Sequence, residues 1–123
     1  MKEFLYIFIG GGAGSVLRYL LSRWLNLSFQ IPLGTLLVNM LGSLILGFLL
    51  GYAIKNNSTG PLVLLLTVGF CGGFTTFSAF AVENLSYLKN GEFLLFAVYT
   101  LLSLTLSLLA VFGGFLLVKS VNF

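Results

Sequence analysis

Apolar residues run along this chain in four long stretches separated by short polar ones, a pattern typical of membrane-spanning helices. A helix crosses the hydrocarbon core of a bilayer with about 20 predominantly apolar residues. The pattern predicts four such helices, at residues 4–25, 33–54, 62–88 and 93–118. Polar or turn-forming residues occupy the three gaps, at residues 26–32, 55–61 and 89–92. We therefore predict an all-α membrane protein that consists of a single domain, residues 1–123.

The composition supports a lipid environment and excludes several classes of function. The chain is 59% hydrophobic and only 7% charged, too few charges for the surface of a soluble domain. Its six basic side chains are scattered, so we do not expect a nucleic acid partner. With no His and a single cysteine, Cys71, neither a disulfide framework nor a Cys/His metal site is expected. Without a general-base histidine or a paired nucleophile, we do not expect an enzyme.

The basic residues are divided almost equally between the two ends of the predicted helices. Four spans place both termini and the middle loop on one side, with Lys2, Lys55 and Lys119. The other side carries Arg23 and Lys89, plus Arg18 if it reaches that interface. Because topology follows the Lys/Arg bias, two interpretations are open. Either the chain inserts in both orientations and pairs as an antiparallel, dual-topology homodimer, or one or two charges determine a single orientation.

The third predicted helix contains the unusual run Gly69-Phe-Cys-Gly-Gly-Phe-Thr-Thr-Phe-Ser78. Glycine and β-branched residues weaken a helix, so the run predicts a break near mid-membrane, between Gly72 and Thr75. Backbone groups released at that depth need protein, water or ions as partners, which indicates an ion site or a pathway. The alternative is an unbroken helix that packs closely through Gly69 and Gly73.

Polar side chains inside the predicted spans are candidates for the lining of a pathway. The amide of Asn39 has two donor hydrogens for an anion, or for an interhelical hydrogen bond. Tyr99, Ser103 and Ser107 follow one another at four-residue spacing and share a helix face. Their hydroxyls are suited to hydrating a passing ion, although serines also bond to their own helix backbone.

Aromatic and charged residues add four further residues to consider. Phe77 and Phe80 lie three residues apart, and ring edges carry the partial positive charge that attracts an anion; ordinary packing is the alternative. Arg18 is suited to attracting an anion into a water-filled vestibule, or to reaching the interface as an anchor. Glu83 is expected to reach the interface in the same way.

Four segments of the chain resemble the Fluc/CrcB fluoride channels. The first three are Gly10-Gly-Gly-Ala-Gly-Ser-Val-Leu-Arg-Tyr19, Gly34-Thr-Leu-Leu-Val-Asn-Met-Leu-Gly42 and Gly69-Phe-Cys-Gly-Gly-Phe-Thr-Thr-Phe-Ser-Ala-Phe80. The fourth is the set Tyr99, Ser103 and Ser107. The run Gly-Gly-Phe-Thr-Thr-Phe-Ser is the most specific of these motifs. Ala79 stands where the family often has Thr, and Ser15 where Ala is usual.

The resemblance implies a channel in the cell membrane that exports cytoplasmic fluoride passively. It implies an antiparallel, dual-topology homodimer with two pores, each lined by Asn39, Phe77, Phe80, Tyr99, Ser103 and Ser107. Arg18 would stand at an aqueous vestibule. A structural sodium ion would bind main-chain oxygens of Gly72 and Thr75 from both chains.

Two other functions are compatible with a four-helix membrane protein of this size. A proton-coupled drug exporter needs a carboxylate embedded in its pathway, and the first helix offers only Glu3 at its edge. A structural membrane subunit without transport needs neither a broken helix nor a stripe of hydroxyl groups.

Overall fold

The computed structural model describes residues 1–26 and 30–120, and all regular elements among them are helices. The elements are α1 (Lys2–Leu25), α2 (Leu33–Lys55), α3 (Pro61–Leu64), a π-helical stretch (Leu65–Cys71), α4 (Gly72–Phe74), α5 (Phe77–Lys89) and α6 (Phe93–Ser120). The segment from Pro61 to Lys89 forms the third of four spans long and apolar enough to cross a membrane. This confirms the all-helical, four-span prediction, and each helix extends at most two residues beyond its predicted ends. Residues 27–29 of the predicted first loop lie outside the described residues.

Local sequence signals explain where the helices begin and end. The side chain of Asn26, just after α1, accepts hydrogen bonds from the amides of Gly34 (2.7 Å) and Thr35 (3.3 Å). It thereby satisfies amides in the first turn of α2, which have no partner within the helix. Pro61 occupies the first position of α3, where the missing N–H of proline costs nothing. Gly91 has a φ of 72° in the turn between α5 and α6, a conformation that favours glycine.

The third span is broken about midway along its length, but not where the sequence predicted. Gly72–Phe74 remains α-helical, and the extended residues are Thr75 (φ −88°, ψ 156°) and Thr76 (φ −150°, ψ 119°). The prediction that the chain unwinds from Gly72 is therefore wrong. Thr76 starts α5 by accepting a hydrogen bond from the amide of Ala79 at 3.1 Å, so a threonine cap and not a glycine marks the break.

Two glycines of the third span, Gly69 and Gly73, serve close packing instead. A Cβ at Gly69 would lie 3.1 Å from the Gly10 Cα, and one at Gly73 would overlap the carbonyl oxygen of Gly11. The close packing through Gly69 and Gly73, which was the alternative to a break, is therefore present together with the break. At a second crossing, between α2 and α6, a Cβ on Gly47 would overlap the Val111 carbonyl oxygen.

These glycine contacts define how the four spans are arranged. α1 packs mainly against residues 61–74, the amino-terminal half of the third span, and α2 packs mainly against α6. Few side chains are fully buried, among them Val38 and Tyr99, whereas large apolar side chains cover the outer surface. Such a surface is suited to lipid and to a neighbouring chain.

Candidate pore and vestibule

A groove of about 400 Å³ opens between α2, α6 and the break in the third span. It brings together residues that are far apart in the sequence. Those that the sequence analysis singled out are Asn39, Thr75, Phe77, Phe80, Ser103 and Ser107. Tyr99 does not line the groove, but its ring centroid lies 5.3 Å from that of Phe80.

Asn39 links α2 to the break through both ends of its amide group. Its Oδ1 accepts a hydrogen bond from the Thr76 amide at 2.7 Å, and its Nδ2 donates to the Thr76 carbonyl at 3.1 Å. The interhelical bond considered for Asn39 is therefore formed. An amide nitrogen carries two hydrogens, so one donor remains for a ligand in the groove.

Aromatic rings form a continuous row from the groove into the protein. The Phe77 and Phe80 rings are 5.5 Å apart and tilted by 45°. Tyr99 follows Phe80, and Tyr87 contacts Tyr99 edge-to-face at 6.0 Å. Phe77 begins the row at the rim, where 77% of its surface is exposed. Tilted rings direct edges as well as faces toward their neighbours, so positive ring edges are available along this row.

Hydroxyl groups of α6 line the same path. Tyr99 is fully buried and Ser103 is 6% exposed. The Ser103 Oγ has no hydrogen-bond partner among residues 1–26 and 30–120, so the bond to its own helix that serine often makes is not formed. A buried hydroxyl without a partner is costly unless a ligand or water satisfies it.

A second, more polar cavity of about 630 Å³ lies beside the carboxyl-terminal half of α1 and the first turns of α5. Arg18, Thr35, Thr76 and Glu83 are among its lining residues, and we call this cavity the vestibule. Thr76 lines both the vestibule and the groove, so the two cavities meet at the break. The Arg18 Nε donates to the Gly73 carbonyl at 3.0 Å, which holds this side chain at the break.

Glu83 points inward, contrary to the expectation that it reaches the membrane surface. The Tyr99 hydroxyl donates to its Oε1 at 3.4 Å, a long contact that holds the carboxylate in the vestibule wall. Its Oε2 is buried and has no partner in the described part of the chain. A tyrosine hydroxyl on the neighbouring helix gives the carboxylate a local partner, and therefore reaching the interface is unnecessary.

The carbonyl groups of Gly72 and Thr75, at the break, have lost the donors that a regular helix would supply. The Thr76 amide, the normal partner of the Gly72 carbonyl, donates to Asn39 instead. The Ala79 amide, four residues after Thr75, donates to the Thr76 hydroxyl. Oxygen atoms of this kind suit a hard monovalent cation. Within the described ranges, no group of three His, Cys, Asp or Glu side chains is placed to hold a metal.

Comparison with known proteins identifies the family. Residues 5–115 match the family described as "CrcB-like protein, Camphor Resistance (CrcB)". The chain belongs to this family. This confirms the resemblance that the motifs indicated.

Curated relatives of this CrcB-like chain cover nearly its whole length. The "Fluoride-specific ion channel FluC" of Bacteroides fragilis is 52% identical over 119 residues, which are 93% of this chain and 94% of the relative. The protein of the same description from Gloeothece citriformis is 46% identical over 121 residues, 97% of this chain and 98% of the relative. The one from Flavobacterium psychrophilum is 42% identical over 122 residues, again 97% and 98%.

Two residues of the site in this CrcB-like protein were not singled out from the sequence. Thr76 was read only as part of the weak helix, although its backbone bonds to Asn39 and its hydroxyl caps α5. Thr35 is 1% exposed and lines the vestibule, with a hydroxyl 3.4 Å from the Asn26 amide nitrogen. The sequence around Thr35 gives only a weak signal, because this threonine merely follows the start of a helix. Thr76 directly precedes a new helix, which makes it a recognisable N-cap.

Proposed function

We propose that this protein is a fluoride-specific ion channel that lets cytoplasmic fluoride leave the cell down its gradient. The observation that carries the proposal is the groove, in which an amide donor, two phenylalanine rings and a buried unpaired serine hydroxyl converge. The FluC protein of Bacteroides fragilis, 52% identical to this chain, is described as a fluoride-specific ion channel. Neutral donors and ring edges attract a small anion without the full charge that would hold it tightly.

Each group has a distinct part in conduction. The vestibule offers a hydrated anion a polar cavity beside the guanidinium of Arg18. The remaining Nδ2 hydrogen of Asn39 and the hydroxyls of Ser103 and Ser107 replace water molecules that the ion loses. The edges of Phe77 and Phe80 carry the ion past the break. Weak ligands in series allow both entry and release, which conduction requires.

The experiment that tests this function is an efflux assay with purified protein in liposomes. Fluoride should leave the liposomes rapidly, chloride should be excluded, and no imposed pH gradient should be needed. Equal fluxes of the two anions would contradict the channel assignment. Strict dependence on a proton gradient would instead favour an exporter, with Glu83 as its embedded carboxylate.

We also propose that two chains form an antiparallel, dual-topology homodimer. The groove is open in the single chain, with Phe77 77% exposed at its rim, so a second chain is needed to enclose it. The nearly equal division of basic residues between the two ends supports insertion in both orientations. Carboxyl-terminal tags labelled from one side of the membrane should therefore report both orientations in comparable amounts. A uniformly oriented, fully active population would contradict the dimer.

A sodium ion on the dimer axis, bound by the Gly72 and Thr75 carbonyls, completes the proposal. Both carbonyls have lost their helical donors, and Gly72 is exposed on the surface of the single chain. Ligands without charge favour a monovalent ion over a divalent one. Because an ion that binds only the folded state stabilises it, unfolding should occur at higher temperature in sodium than in N-methylglucamine. Equal unfolding temperatures at matched ionic strength would contradict the site.

A further inference from the structure

The side chain of Arg18 crosses from α1 to the break in the third span. Its Nε lies 3.0 Å from the carbonyl oxygen of Gly73, which is 55 residues away in the sequence. In a continuous helix that carbonyl would accept a bond from the amide of Phe77, which instead begins α5 beyond the break. Arg18 therefore supplies the hydrogen bond that the interruption removes.

Glycine packing brings the guanidinium to this place. Gly10, Gly14 and Arg18 are spaced four residues apart and lie on one face of α1. A Cβ at Gly10 would overlap the Leu65 carbonyl oxygen, and one at Gly14 the Phe70 carbonyl oxygen. Because no side chain separates the two backbones, the next residue on this face reaches the end of the helix formed by residues 61–74.

The carbonyl groups of the last turn before the break have different hydrogen-bond partners. The Cys71 oxygen accepts bonds from the Thr75 amide (3.0 Å) and the Thr75 hydroxyl (2.9 Å). The Gly73 oxygen is bonded to Arg18. The Gly72 oxygen, between them, lost its donor to Asn39. The negative end of a helix is stabilised by a cation, and a hydrogen bond from a charged donor is stronger than a neutral one.

We propose that Arg18 is a positioning residue that caps the carboxyl end of residues 61–74 and keeps the break open. Its required feature is the donor at Nε; the positive charge strengthens that hydrogen bond but does not replace it. This goes beyond the proposed channel function and depends on that function only where flux is the readout. The cap directs the Gly73 oxygen toward α1 and leaves the Gly72 oxygen without the amide donor of a regular helix.

Three substitutions separate the donor from the charge. In Arg18→Gln, the Nε2 of glutamine stands at the place of the arginine Nε and keeps a donor, but the charge is lost. Arg18→Lys keeps the charge and has a methylene group at that place. Arg18→Met has a methyl group there, with neither donor nor charge. Arg23→Gln, in the exposed last turn of the same helix, controls for the loss of a positive charge.

The first readout is hydrogen exchange of the Thr75 and Thr76 amides in the full-length protein, which needs no fluoride. Losing a charge-assisted bond should speed exchange by about tenfold or more in Arg18→Met and Arg18→Lys, and much less in Arg18→Gln. Fluoride efflux from liposomes should fall in the same order, with Arg23→Gln near the parent. If the parent carried no fluoride, the channel assignment would fail while the exchange result would still decide the role of Arg18.

Two results would overturn the proposal. If Arg18→Lys behaved like the parent and Arg18→Gln like Arg18→Met in both assays, the charge and not the Nε donor would be the required feature. If Arg18→Met exchanged at the parent rate, Arg18 would not hold the break at all. The proposal is supported only when glutamine, the neutral variant with the donor in place, restores protection of Thr75 and Thr76.

Discussion

The crossing of α2 and α6 can be tested with two neighbouring glycines in the same helix. A Cβ at Gly114 would overlap the Leu44 carbonyl oxygen and lie 2.8 Å from the Phe48 amide nitrogen. These are backbone atoms, so no side-chain rotation can relieve the overlap and α2 must move. At Gly113 a Cβ would meet nothing within 4 Å. Gly114→Ala should therefore be destabilising, and Gly113→Ala is its matched control.

The comparison isolates the cost of the overlap. Replacing a helical glycine with alanine adds about 1 kcal/mol of helix propensity, and this gain is common to both variants. Overpacking of a tightly packed site typically costs about 1–3 kcal/mol, and the two variants should differ by that amount in free energy of unfolding. Because α2 carries Asn39 and α6 carries Ser103, the displacement should also widen the groove and reduce fluoride flux.

Denaturation of the purified protein in detergent measures the first effect, and efflux from liposomes measures the second. Gly47→Ala, at the same crossing, should resemble Gly114→Ala, since its Cβ would overlap the Val111 carbonyl oxygen. Equal unfolding free energies for Gly113→Ala and Gly114→Ala would refute the idea that backbone contact holds these helices together. Equal loss of flux in both variants would show that the contact between α2 and α6 does not determine the width of the groove.

Three further predictions concern the groove and the break. Phe80→Ile keeps apolar bulk but removes the positive ring edge, so the variant should fold and dimerise yet lose most fluoride efflux; Phe77→Ile should do the same. Asn39→Asp keeps the acceptor for the Thr76 amide but replaces the donor with a negative charge, so efflux should stop. Thr76→Val removes the cap of α5 and should lower the free energy of unfolding by about 1 kcal/mol, whereas Thr76→Ser should restore it.

Each of these predictions has a result that would contradict it. Efflux at the parental rate in Phe80→Ile would show that ring electrostatics do not contribute. Efflux at the parental rate in Asn39→Asp would show that fluoride does not pass along α2. Unchanged stability in Thr76→Val would mean that the bond from Ala79 to the threonine hydroxyl does not hold the start of α5.

The four spans could be predicted from the sequence because apolar length alone meets the demand of the bilayer. The position of the break could not. Glycine is compatible both with unwinding and with close helix contact, and only the location of α1 decides which applies to Gly72 and Gly73. Gly73 packs against Gly11, whereas a Cβ at Gly72 would meet nothing within 4 Å, and Thr76 is the residue that starts a new helix.

The residues of the groove could be selected from the sequence, but their bonding partners could not. Four-residue spacing places Tyr99 and Ser103 on one face whatever their surroundings. The inward direction of Glu83 depends on a tyrosine hydroxyl from another helix, and the pairing of Asn39 with Thr76 depends on a distant strand-like backbone. Such tertiary contacts leave no local pattern.

The pairing of α1 with the third span and of α2 with α6 has a consequence for biogenesis. Helices that are adjacent in the sequence are not each other's main partners, so the first two spans enter the membrane before the surfaces they pack against have been synthesised. The partners of Gly10 and Gly14, Leu65 and Phe70, are synthesised with the third span, and the partner of Gly47, Val111, only with the fourth. Assembly of the bundle is thus delayed until the fourth span has been synthesised, and a ribosome stalled after the second span would leave two helices without their principal contacts.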